Sequence, residues 1–400
     1  MNKVAKNTGW QLTARVVAIA SSLIATPLLT RLLSQEAYGN YIFLTSIVLL
    51  FLNFSDMGMG FWGVKTASEA KNKDRAFSDI FNLKFLLTLT VWFAFIILAL
   101  LFPQFSDIRT ISLIASLALV FLSIRMLADI VLKTELNFFV KSLWEIVGSL
   151  FFLFTVVLLY LNQVSSLGLV ITMWTLSAIL SGAGAFLAIR RKIKLSKSKS
   201  QNIKDILHKS APIGIRQLVF ATYDQGIDNF LLKSLTTAAN VGYYGLSYKV
   251  YSNLASTASF LMNSIFPQMS ASSDKKTYFK KSLLVLSVSG LILSLITYFF
   301  SSFIIQILAG NDYSPSITIL KILSFGIVFS FINHATGYTL IALGQQGRFL
   351  RFSLIALGIN IIGNIILIPV LGGIGAAVIT LTTEVSMLVM SFYALKRAWA

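Results

Sequence analysis

The chain has 400 residues, of which 56% are hydrophobic and 12% are charged, and its formal net charge at pH 7 is +18. A water-soluble protein of this composition would lack the polar residues to cover its surface, so the composition indicates a chain embedded in lipid. The sequence contains no cysteine, which excludes disulfide bonds, thiolate metal ligands and thiol nucleophiles.

Apolar stretches that are long enough to cross a bilayer recur about twelve times along the chain. A hydrocarbon core roughly 30 Å thick requires about twenty helical residues, because only an internally hydrogen-bonded backbone is stable there. The predicted spans are Thr8–Leu33, Tyr38–Met59, Asn82–Phe102, Thr110–Ile130, Leu143–Leu161, Ser166–Ile189, Ala211–Leu235, Val241–Phe266, Leu283–Ile307, Ser316–Leu343, Phe352–Val370 and Gly373–Leu395. The sequence therefore predicts an all-α, polytopic membrane protein of about twelve transmembrane helices.

The first predicted span begins like a secretory signal, since Lys3 and Lys6 precede an apolar run. Its apolar region is longer than that of a signal and contains Arg15, and Pro27 is followed by more Leu rather than by a small-residue cleavage motif. We therefore expect this segment to be retained as a membrane span.

Lys and Arg are concentrated in alternate connections between the predicted spans. Most of the 33 basic residues lie on the side that both termini share, with the densest run at 190–199. Cytoplasmic loops carry the excess of Lys and Arg, so this pattern places both termini in the cytoplasm. The positive charge then serves as a topology signal near anionic headgroups, and the expected partner is the lipid bilayer rather than nucleic acid.

A connection rich in Lys, Ser and Asn divides the chain near its midpoint. We predict an N-terminal six-helix lobe at residues 1–195, a basic cytoplasmic linker at 196–210 and a C-terminal six-helix lobe at 211–400. Repeats with an even number of spans keep the same orientation, so the lobes are expected to form a parallel pseudo-repeat with the substrate path between them.

An internal alignment supports the pseudo-repeat. The segment Leu28–Tyr41 aligns with Phe230–Tyr244 when one residue is inserted. Under this alignment Gly39 falls on Gly242, and the two segments occupy the first hairpin of each predicted lobe. The alternative is chance similarity between two apolar hairpins.

The seventh predicted span carries the most charge. A charged side chain at the centre of a spanning helix costs about 2.5–3.5 kcal/mol, and this span contains Arg216, Asp224 and Asp228. Together they cost about 7–10 kcal/mol, whereas the apolar residues of the span return only about 3–6 kcal/mol. We therefore expect this helix to line a polar interior rather than to face lipid.

Helical spacing also places polar side chains on one face of the first, second and eighth spans. Arg15 lies on this face in the first span, Asn53 and Asp56 in the second, and Lys249 and Asn253 in the eighth. Together with the seventh span these helices form the first hairpin of each lobe. The simplest arrangement places these four helices around a central cavity. The cavity would contain three bases and three acids whose charges balance: Arg15, Arg216, Lys249, Asp56, Asp224 and Asp228. The alternative for each charged residue is a structural pair between helices.

Other buried charges have plainer interpretations. Arg125 and Asp129 have the spacing of a helical ion pair. Lys84 is expected near an interface, where its side chain reaches the headgroups. The role of Glu384 stays open, and His334 is either a proton relay or a hydrogen-bonded packing residue.

The sequence lacks the usual groups of an enzyme. It has two histidines, no cysteine and scattered carboxylates, which leave no metal cluster and no nucleophile–base pair. No glycine-rich phosphate loop follows a strand. We therefore expect no enzymatic activity, no catalytic residue, no metal and no cofactor.

Three stretches together resemble a known family. They are LLTRLLSQEAYGNYIF followed by NFSDMGMG, ILAGNDYSPSITILKILS, and GINIIGNIILIPVLGGIGAAVIT. The sequence resembles the bacterial polysaccharide biosynthesis (O-antigen, Wzx-type) flippases of the multidrug/oligosaccharidyl-lipid/polysaccharide exporter superfamily, and the resemblance covers essentially the whole chain.

The resemblance implies that the protein moves an undecaprenyl-diphosphate-linked oligosaccharide from the cytoplasmic to the periplasmic leaflet of the bacterial inner membrane. The product would serve O antigen, capsule or a related polymer. The resemblance also implies a V-shaped cavity between two lobes, alternation between inward and outward states, and coupling to an ion or proton gradient. A polysaccharide polymerase and a chain-length regulator are further candidate partners.

Under this resemblance the polar residues acquire candidate roles. The planar fork of donors on Arg matches phosphate oxygens, and amide side chains suit sugar hydroxyls. The candidate substrate-binding residues are Arg15, Arg216, Lys249, Asn53 and Asn253. The candidate ion-coupling or charge-balancing residues are Asp56, Asp224 and Asp228.

Two other functions remain as alternatives. A multidrug cation antiporter of the same superfamily would have a net acidic cavity, whereas the assigned residues comprise three bases and three acids. A membrane-embedded polysaccharide polymerase or ligase would need a sizeable external loop, and the predicted external connections are only a few residues long.

Overall fold

The computed structural model describes residues 3–190, 200–222 and 227–399. Within these ranges the chain forms α-helices joined by short turns, two short 3₁₀ helices at Pro103–Ile108 and Asn311–Tyr313, and no β-strand. The α-helices are α1 Lys3–Leu32, α2 Gln35–Asp56, α3 Met59–Glu69, α4 Lys73–Leu101, α5 Arg109–Thr134, α6 Phe138–Leu161, α7 Leu167–Ile189, α8 Ser200–Ala221, α9 Ile227–Leu235, α10 Ala238–Ala255, α11 Thr257–Ala271, α12 Lys275–Phe299, α13 Ser301–Ala309, α14 Ser314–Ala342, α15 Gln346–Leu371 and α16 Gly373–Ala398. The predicted all-α fold is confirmed.

Several helices start at a side chain that caps the free amide groups of the first turn. Asn72 accepts a hydrogen bond from the backbone of Arg75 at 3.0 Å, and Asp274 accepts one from Thr277 at 3.0 Å. Thr237 begins α10 in the same way. These caps fix the first turns of α4, α12 and α10.

Ten stretches of the described residues are long and apolar enough to cross a membrane. Large apolar side chains cover their outer surfaces; Leu101, Phe299 and Val370 are each more than 70% exposed, which suits lipid rather than water. The prediction of a multi-pass membrane protein is confirmed.

The predicted eighth span is divided at Ser256 between α10 and α11. The predicted seventh span includes parts of α8 and α9, and its residues 223–226 lie outside the described residues. Neither pair is among the ten candidate spans of the described residues. Charged and amide side chains lower the apolarity of both segments, and broken helices in membranes occur where protein or water surrounds them.

The chain divides into two compact units, Met1–Ser34 with Leu44–Gly226, and Gln35–Phe43 with Ile227–Ala400. These boundaries do not coincide with the predicted lobes at 1–195 and 211–400, which stay a prediction about the sequence repeat. The first unit contains α8, and the second contains the first turns of α2. We refer to them as unit 1 and unit 2.

Of the predicted linker at 196–210, residues 200–210 belong to α8, and residues 196–199 lie outside the described residues. Its Ile206 is buried in the core of unit 1, and Leu207 packs against the same core. This core lies among α3, α4, α5, α7 and α8, with Met59, Ile80 and Ile130 almost completely buried. Ile206 and Leu207 therefore pack this part of α8 against the core of unit 1, and the linker itself stays a prediction.

The same order of packing recurs in the two units. In unit 1, α5 packs against α4 and α7, and α6 packs against α1 and α7. In unit 2, α14 packs against α12 and α16, and α15 packs against α9 and α16. The second predicted span is interrupted after Asp56, between α2 and α3, and the eighth is interrupted at Ser256, between α10 and α11. This recurrence is what a repeated six-span unit would produce.

The two glycines that the repeat alignment pairs are in contact. A Cβ atom on Gly39 would overlap the carbonyl oxygen of Ala238 and lie 3.0 Å from the amide nitrogen of Gly242. A Cβ atom on Gly242 would lie 3.0 Å from the carbonyl oxygen of Gln35. Helices α2 and α10 therefore cross with their backbones touching, which only residues without a side chain permit.

A substitution tests this crossing. Gly39→Ala should force α2 and α10 apart and lower the free energy of unfolding by about 1–3 kcal/mol, since the added methyl group meets backbone that cannot rotate away. Gly358→Ala in α15 is the matched control, because no heavy atom lies within 4 Å of the added carbon. Thermal unfolding in detergent measures both variants, and equal stability of the two would contradict the proposed contact.

Candidate functional site

A buried ion pair lies at the end of α2. Lys84 of α4 places its Nζ atom 2.9 Å from Oδ1 of Asp56, and the two residues are only 1% and 4% exposed. Lys84 also donates to the carbonyl oxygen of Ser55 at 3.2 Å. The amide of Gly60 donates to Oδ2 of Asp56 at 3.1 Å, so the carboxylate holds the first turn of α3.

This pair changes the interpretation of both residues. The expectation that Lys84 reaches the headgroups is wrong, because its ammonium group points into unit 1 and binds a carboxylate. Both oxygens of Asp56 are engaged within the same unit. A buried charge with one missing partner is strongly unfavourable, so each residue explains the presence of the other in an apolar span.

Three hydroxyl groups continue the polar network from the ion pair into α4 and α5. Ser123 lies 3.2 Å from Ser55 and 2.6 Å from Thr88 between side-chain oxygens, and Thr88 donates to the carbonyl oxygen of Lys84 at 2.7 Å. All three are buried. The network therefore joins α2, α4 and α5 through groups that satisfy one another in the absence of water.

Arg15 lies near a cluster of charges between α5 and α6. Lys141 lies 3.0 Å from Glu145 and 3.9 Å from Asp129, and both Arg15 and Arg125 interact electrostatically with Glu145. Lys141 is thus the ion-pair partner of Asp129 within 4 Å, in place of the predicted Arg125. Arg15 itself is exposed on α1 beside the buried Ala14.

Other candidates lie in the second and seventh predicted spans, and the seventh is described only in part. Asn53 is half-buried and donates to the carbonyl oxygen of Leu49 at 2.9 Å, one turn earlier in α2. The backbone of Arg216 is helical within α8, and its side chain lies outside the described residues. Asp224 also lies outside the described residues.

Asp228 is buried in unit 2 and is surrounded by uncharged hydrogen-bonding groups. Tyr244 donates to Oδ2 of Asp228 at 2.6 Å, and Asn364 donates to Oδ1 at 2.7 Å. Thr380 lies 3.4 Å from Oδ2, and Asn360 accepts a hydrogen bond from Asn364 at 3.2 Å. These five residues come from α9, α10, α15 and α16, and we call them the Asp228 cluster.

A second buried carboxyl group lies in the same unit. Glu384 of α16 accepts hydrogen bonds from Tyr251 at 3.0 Å and from Asn333 at 2.6 Å, and it is 6% exposed. The neighbouring His334 bonds through Nδ1 to the carbonyl oxygen of Ser330 at 2.8 Å within its own helix. Glu384 is thereby held by donors from α10 and α14, in the manner of Asp228.

Lys249 and Asn253 lie one turn apart on α10. Both are half-buried, and the amide of Asn253 donates to the carbonyl oxygen of Lys249 at 2.8 Å. The buried face of α10 instead carries Tyr244 and Tyr251. The polar face predicted from helical spacing is therefore separate from the face that builds the core of unit 2.

Several partners were missed by the sequence analysis. Lys84 was recognised as a charge in an apolar span, but its partner Asp56 lies in another span. Asn360 and Asn364 stand four residues apart in an apolar run, a spacing that places both amides on one face of a helix. The spacing of the two asparagines could have indicated a buried polar site. Nothing in the sequence distinguishes Tyr244 and Thr380 from packing residues.

The fold defines a polytopic α-helical membrane protein whose spans carry buried polar networks. The lipid II flippase MurJ in an inward closed conformation has the same fold, with a TM-score of 0.81 at 16% identity over 98% of this chain and 87% of that one. An inward-facing multidrug resistance MATE family transporter of the MOP superfamily gives a TM-score of 0.75 at 13% identity, over 95% and 94% of the two chains.

Residues 4–273 match the family described as polysaccharide biosynthesis protein, and the chain belongs to this family. It is 29% identical over 160 residues to Agl15 of Haloferax volcanii, described as a "probable low-salt glycan biosynthesis flippase". It is 30% identical over 128 residues to the capsular polysaccharide biosynthesis protein CapF of Staphylococcus aureus. These alignments cover 38% and 31% of this chain and 34% and 32% of the relatives, so the chain spans about a third of the length of the curated relatives it matches. The family resemblance predicted from the sequence motifs is confirmed.

The buried ion pair makes a prediction about stability. Lys84→Met should leave Asp56 charged and unpaired in the interior and lower the free energy of unfolding by about 3–5 kcal/mol. The double variant Asp56→Asn/Lys84→Met should recover most of this loss, because no charge remains to be compensated. Lys65→Met, at an exposed position of α3, controls for the loss of a surface charge.

Denaturant unfolding in detergent measures these variants. If the double variant is as unstable as Lys84→Met alone, the loss comes from packing rather than from the unpaired carboxylate.

Proposed function

We propose that this protein is a flippase that moves a lipid-linked oligosaccharide across the inner (plasma) membrane for surface polysaccharide synthesis. The observation that carries the proposal is membership of the polysaccharide biosynthesis family over residues 4–273. The descriptions of Agl15 as a flippase and of CapF as a capsular polysaccharide protein support it, as does the fold shared with a lipid II flippase.

The proposed substrate is an undecaprenyl-diphosphate-linked repeat unit of O antigen or another surface polymer. In this proposal both termini lie in the cytoplasm, and the substrate passes from the cytoplasmic to the periplasmic leaflet between the lobes at 1–195 and 211–400. Alternation between inward and outward states needs no covalent chemistry. A polysaccharide polymerase and a chain-length regulator would then act on the delivered unit.

Cationic side chains are proposed to bind the diphosphate. Guanidinium groups form paired hydrogen bonds with phosphate oxygens, which favours Arg15 and Arg216, with Lys249 as a further point charge. Arg15 is exposed and therefore accessible to a ligand. Asn53 and Asn253 are proposed to bind sugar hydroxyls. Each is half-buried, and its amide donates to a backbone carbonyl oxygen of its own helix.

The Asp228 cluster is the proposed site of ion or proton coupling. The hydrogen-bond partners of this carboxylate are Tyr244, Asn364 and Thr380, which are uncharged, so a proton or a small cation is the group that would cancel its charge. Oxygen atoms of Asn360 and Thr380 lie in the same cluster and suit a hard cation. Asp224 is proposed to assist from the same span, whereas Asp56 is proposed to balance the charge of Lys84.

The substrate proposal predicts the behaviour of two arginine variants. Arg15→Ala and Arg216→Ala should each reduce translocation of a fluorescent lipid-linked oligosaccharide in proteoliposomes by about tenfold or more, since each removes charged hydrogen bonds to the diphosphate. The measurement is quenching of the label by a membrane-impermeant reagent. Lys281→Ala, at an exposed position of α12, is the matched control.

Two outcomes would overturn the proposal. One is wild-type translocation at both arginine variants, which would remove them from the substrate path. The other is efflux of cationic dyes by proteoliposomes that do not translocate the oligosaccharide, which would favour a multidrug cation antiporter.

The coupling proposal predicts a selective loss at Asp228. Asp228→Asn keeps the size of the side chain and removes its charge, so translocation should no longer accelerate when a proton or sodium gradient is imposed, while translocation without a gradient persists. Asp274→Asn is the control, because asparagine also caps a helix at that exposed position. An unchanged response to both gradients in Asp228→Asn would place the coupling site elsewhere.

A further inference from the structure

A cleft of about 360 Å³ lies among α3, α4 and α8 in unit 1. It is open on one side, and its apolar wall includes Ile80 and Ile206, which also belong to the core of the unit. Trp62 of α3 lines the cleft and packs against the same core. The floor of the cleft is therefore part of the hydrophobic core, and the half-buried indole ring of Trp62 forms part of its wall.

The polar lining of the cleft combines two cations with hydrogen-bonding groups. Arg75 and Lys209 are exposed and bring positive charge from α4 and α8. Asn72 and Thr66 add an amide and a hydroxyl, and Asp79 adds a carboxylate that is 9% exposed. Among the described residues, the lining thus has one more positive than negative charge and contains both donors and acceptors.

The position of Arg75 is fixed by the local structure. The side chain of Asn72 accepts a hydrogen bond from the backbone of Arg75 at 3.0 Å and caps α4, so the arginine leaves the helix from its first turn. The connection between the candidate spans that end at Glu69 and begin at Lys73 contains a further base, Lys71. Because this connection joins two candidate spans, we expect the cleft to open near the boundary between hydrocarbon and water.

We propose that this cleft binds the glycosyl phosphate head group of the lipid-linked oligosaccharide before translocation; this inference rests on the proposed function. Arg75 and Lys209 bind phosphate oxygens, since guanidinium and ammonium groups form strong hydrogen bonds with them. The ring of Trp62 packs under the apolar face of the first sugar, and Thr66 and Asp79 bind its hydroxyls. The volume lies in the range of small-molecule sites.

The combination of groups separates this ligand from an ordinary anionic lipid. A phospholipid headgroup offers phosphate for the cations but no sugar ring for Trp62. A buried carboxylate such as Asp79 repels a bare anion and accepts hydrogen bonds from hydroxyls. The geometry thus favours a phosphate that carries a sugar over phosphate alone.

Binding to three probes tests the inference. The full-length protein in phosphatidylcholine nanodiscs is titrated with farnesyl diphosphate bearing N-acetylglucosamine, with farnesyl diphosphate, and with phosphatidylglycerol, and occupancy is read by native mass spectrometry. Arg75→Gln and Lys209→Gln should each weaken both prenyl probes roughly tenfold, the loss of a charged hydrogen bond. Trp62→Leu should weaken the glycosylated probe about fivefold and leave farnesyl diphosphate unchanged.

Two matched variants control for nonspecific effects. Lys281→Gln removes a charge from an exposed position of α12, and Phe61→Leu removes the neighbouring aromatic ring, which is 65% exposed. Both should bind all probes like the wild type. Thermal unfolding identifies any variant that does not fold, and Arg75 and Lys209 come from different helices, so one variant remains informative if the other fails.

The results separate this site from the proposed function. Wild-type affinity in the Arg75 and Lys209 variants, absence of binding to the wild type, or equal binding of phosphatidylglycerol and the glycosylated probe would each overturn the cleft as a glycan site. If the binding pattern holds but the wild type does not translocate the substrate in proteoliposomes, the flippase proposal fails and the binding site stands.

Discussion

Hydrocarbon offers no water to a buried polar group, and this constraint explains the most unusual contacts of the protein. In unit 1 the requirement is met by opposite charges, since Lys84 binds Asp56 and the adjoining hydroxyl groups bind one another. In unit 2 it is met by uncharged donors around Asp228 and Glu384. Each network joins three or four helices, so satisfying its polar groups also fixes how those helices pack.

The two ways of satisfying a carboxylate have different chemical consequences. Asp56 has a permanent cation beside it, and removing or adding a proton would break a buried ion pair. Asp228 receives hydrogen bonds from neutral groups, so its charge is available to a proton or a cation without loss of an ion-pair partner. The structure thereby distinguishes two acids that the sequence presents only as charges in apolar spans, and this difference supports the proposed coupling role of Asp228.

The sequence predicts the helices better than it predicts which residues contact each other between helices. Apolar length predicts the spans from the sequence alone. The partner of Asp56 could not be predicted, because helical periodicity defines the face of α2 but not which of many spans lies opposite. The donors to Asp228 are separated from it by up to 152 residues. The start of α8 at Ser200 could not be predicted, because the sequence there is rich in lysine and serine and contains few apolar residues such as Ile206 and Leu207.

The contact between Gly39 and Gly242 has a practical consequence because the chain contains no cysteine. Thiols introduced on α2 and α10 near this crossing would be unique in the molecule and would need no prior removal of native ones. Spin labels or fluorophores attached there would report the separation of the two helices directly, in lipid and during turnover. The absence of native thiols thus makes this helix crossing a suitable place to measure distances between α2 and α10.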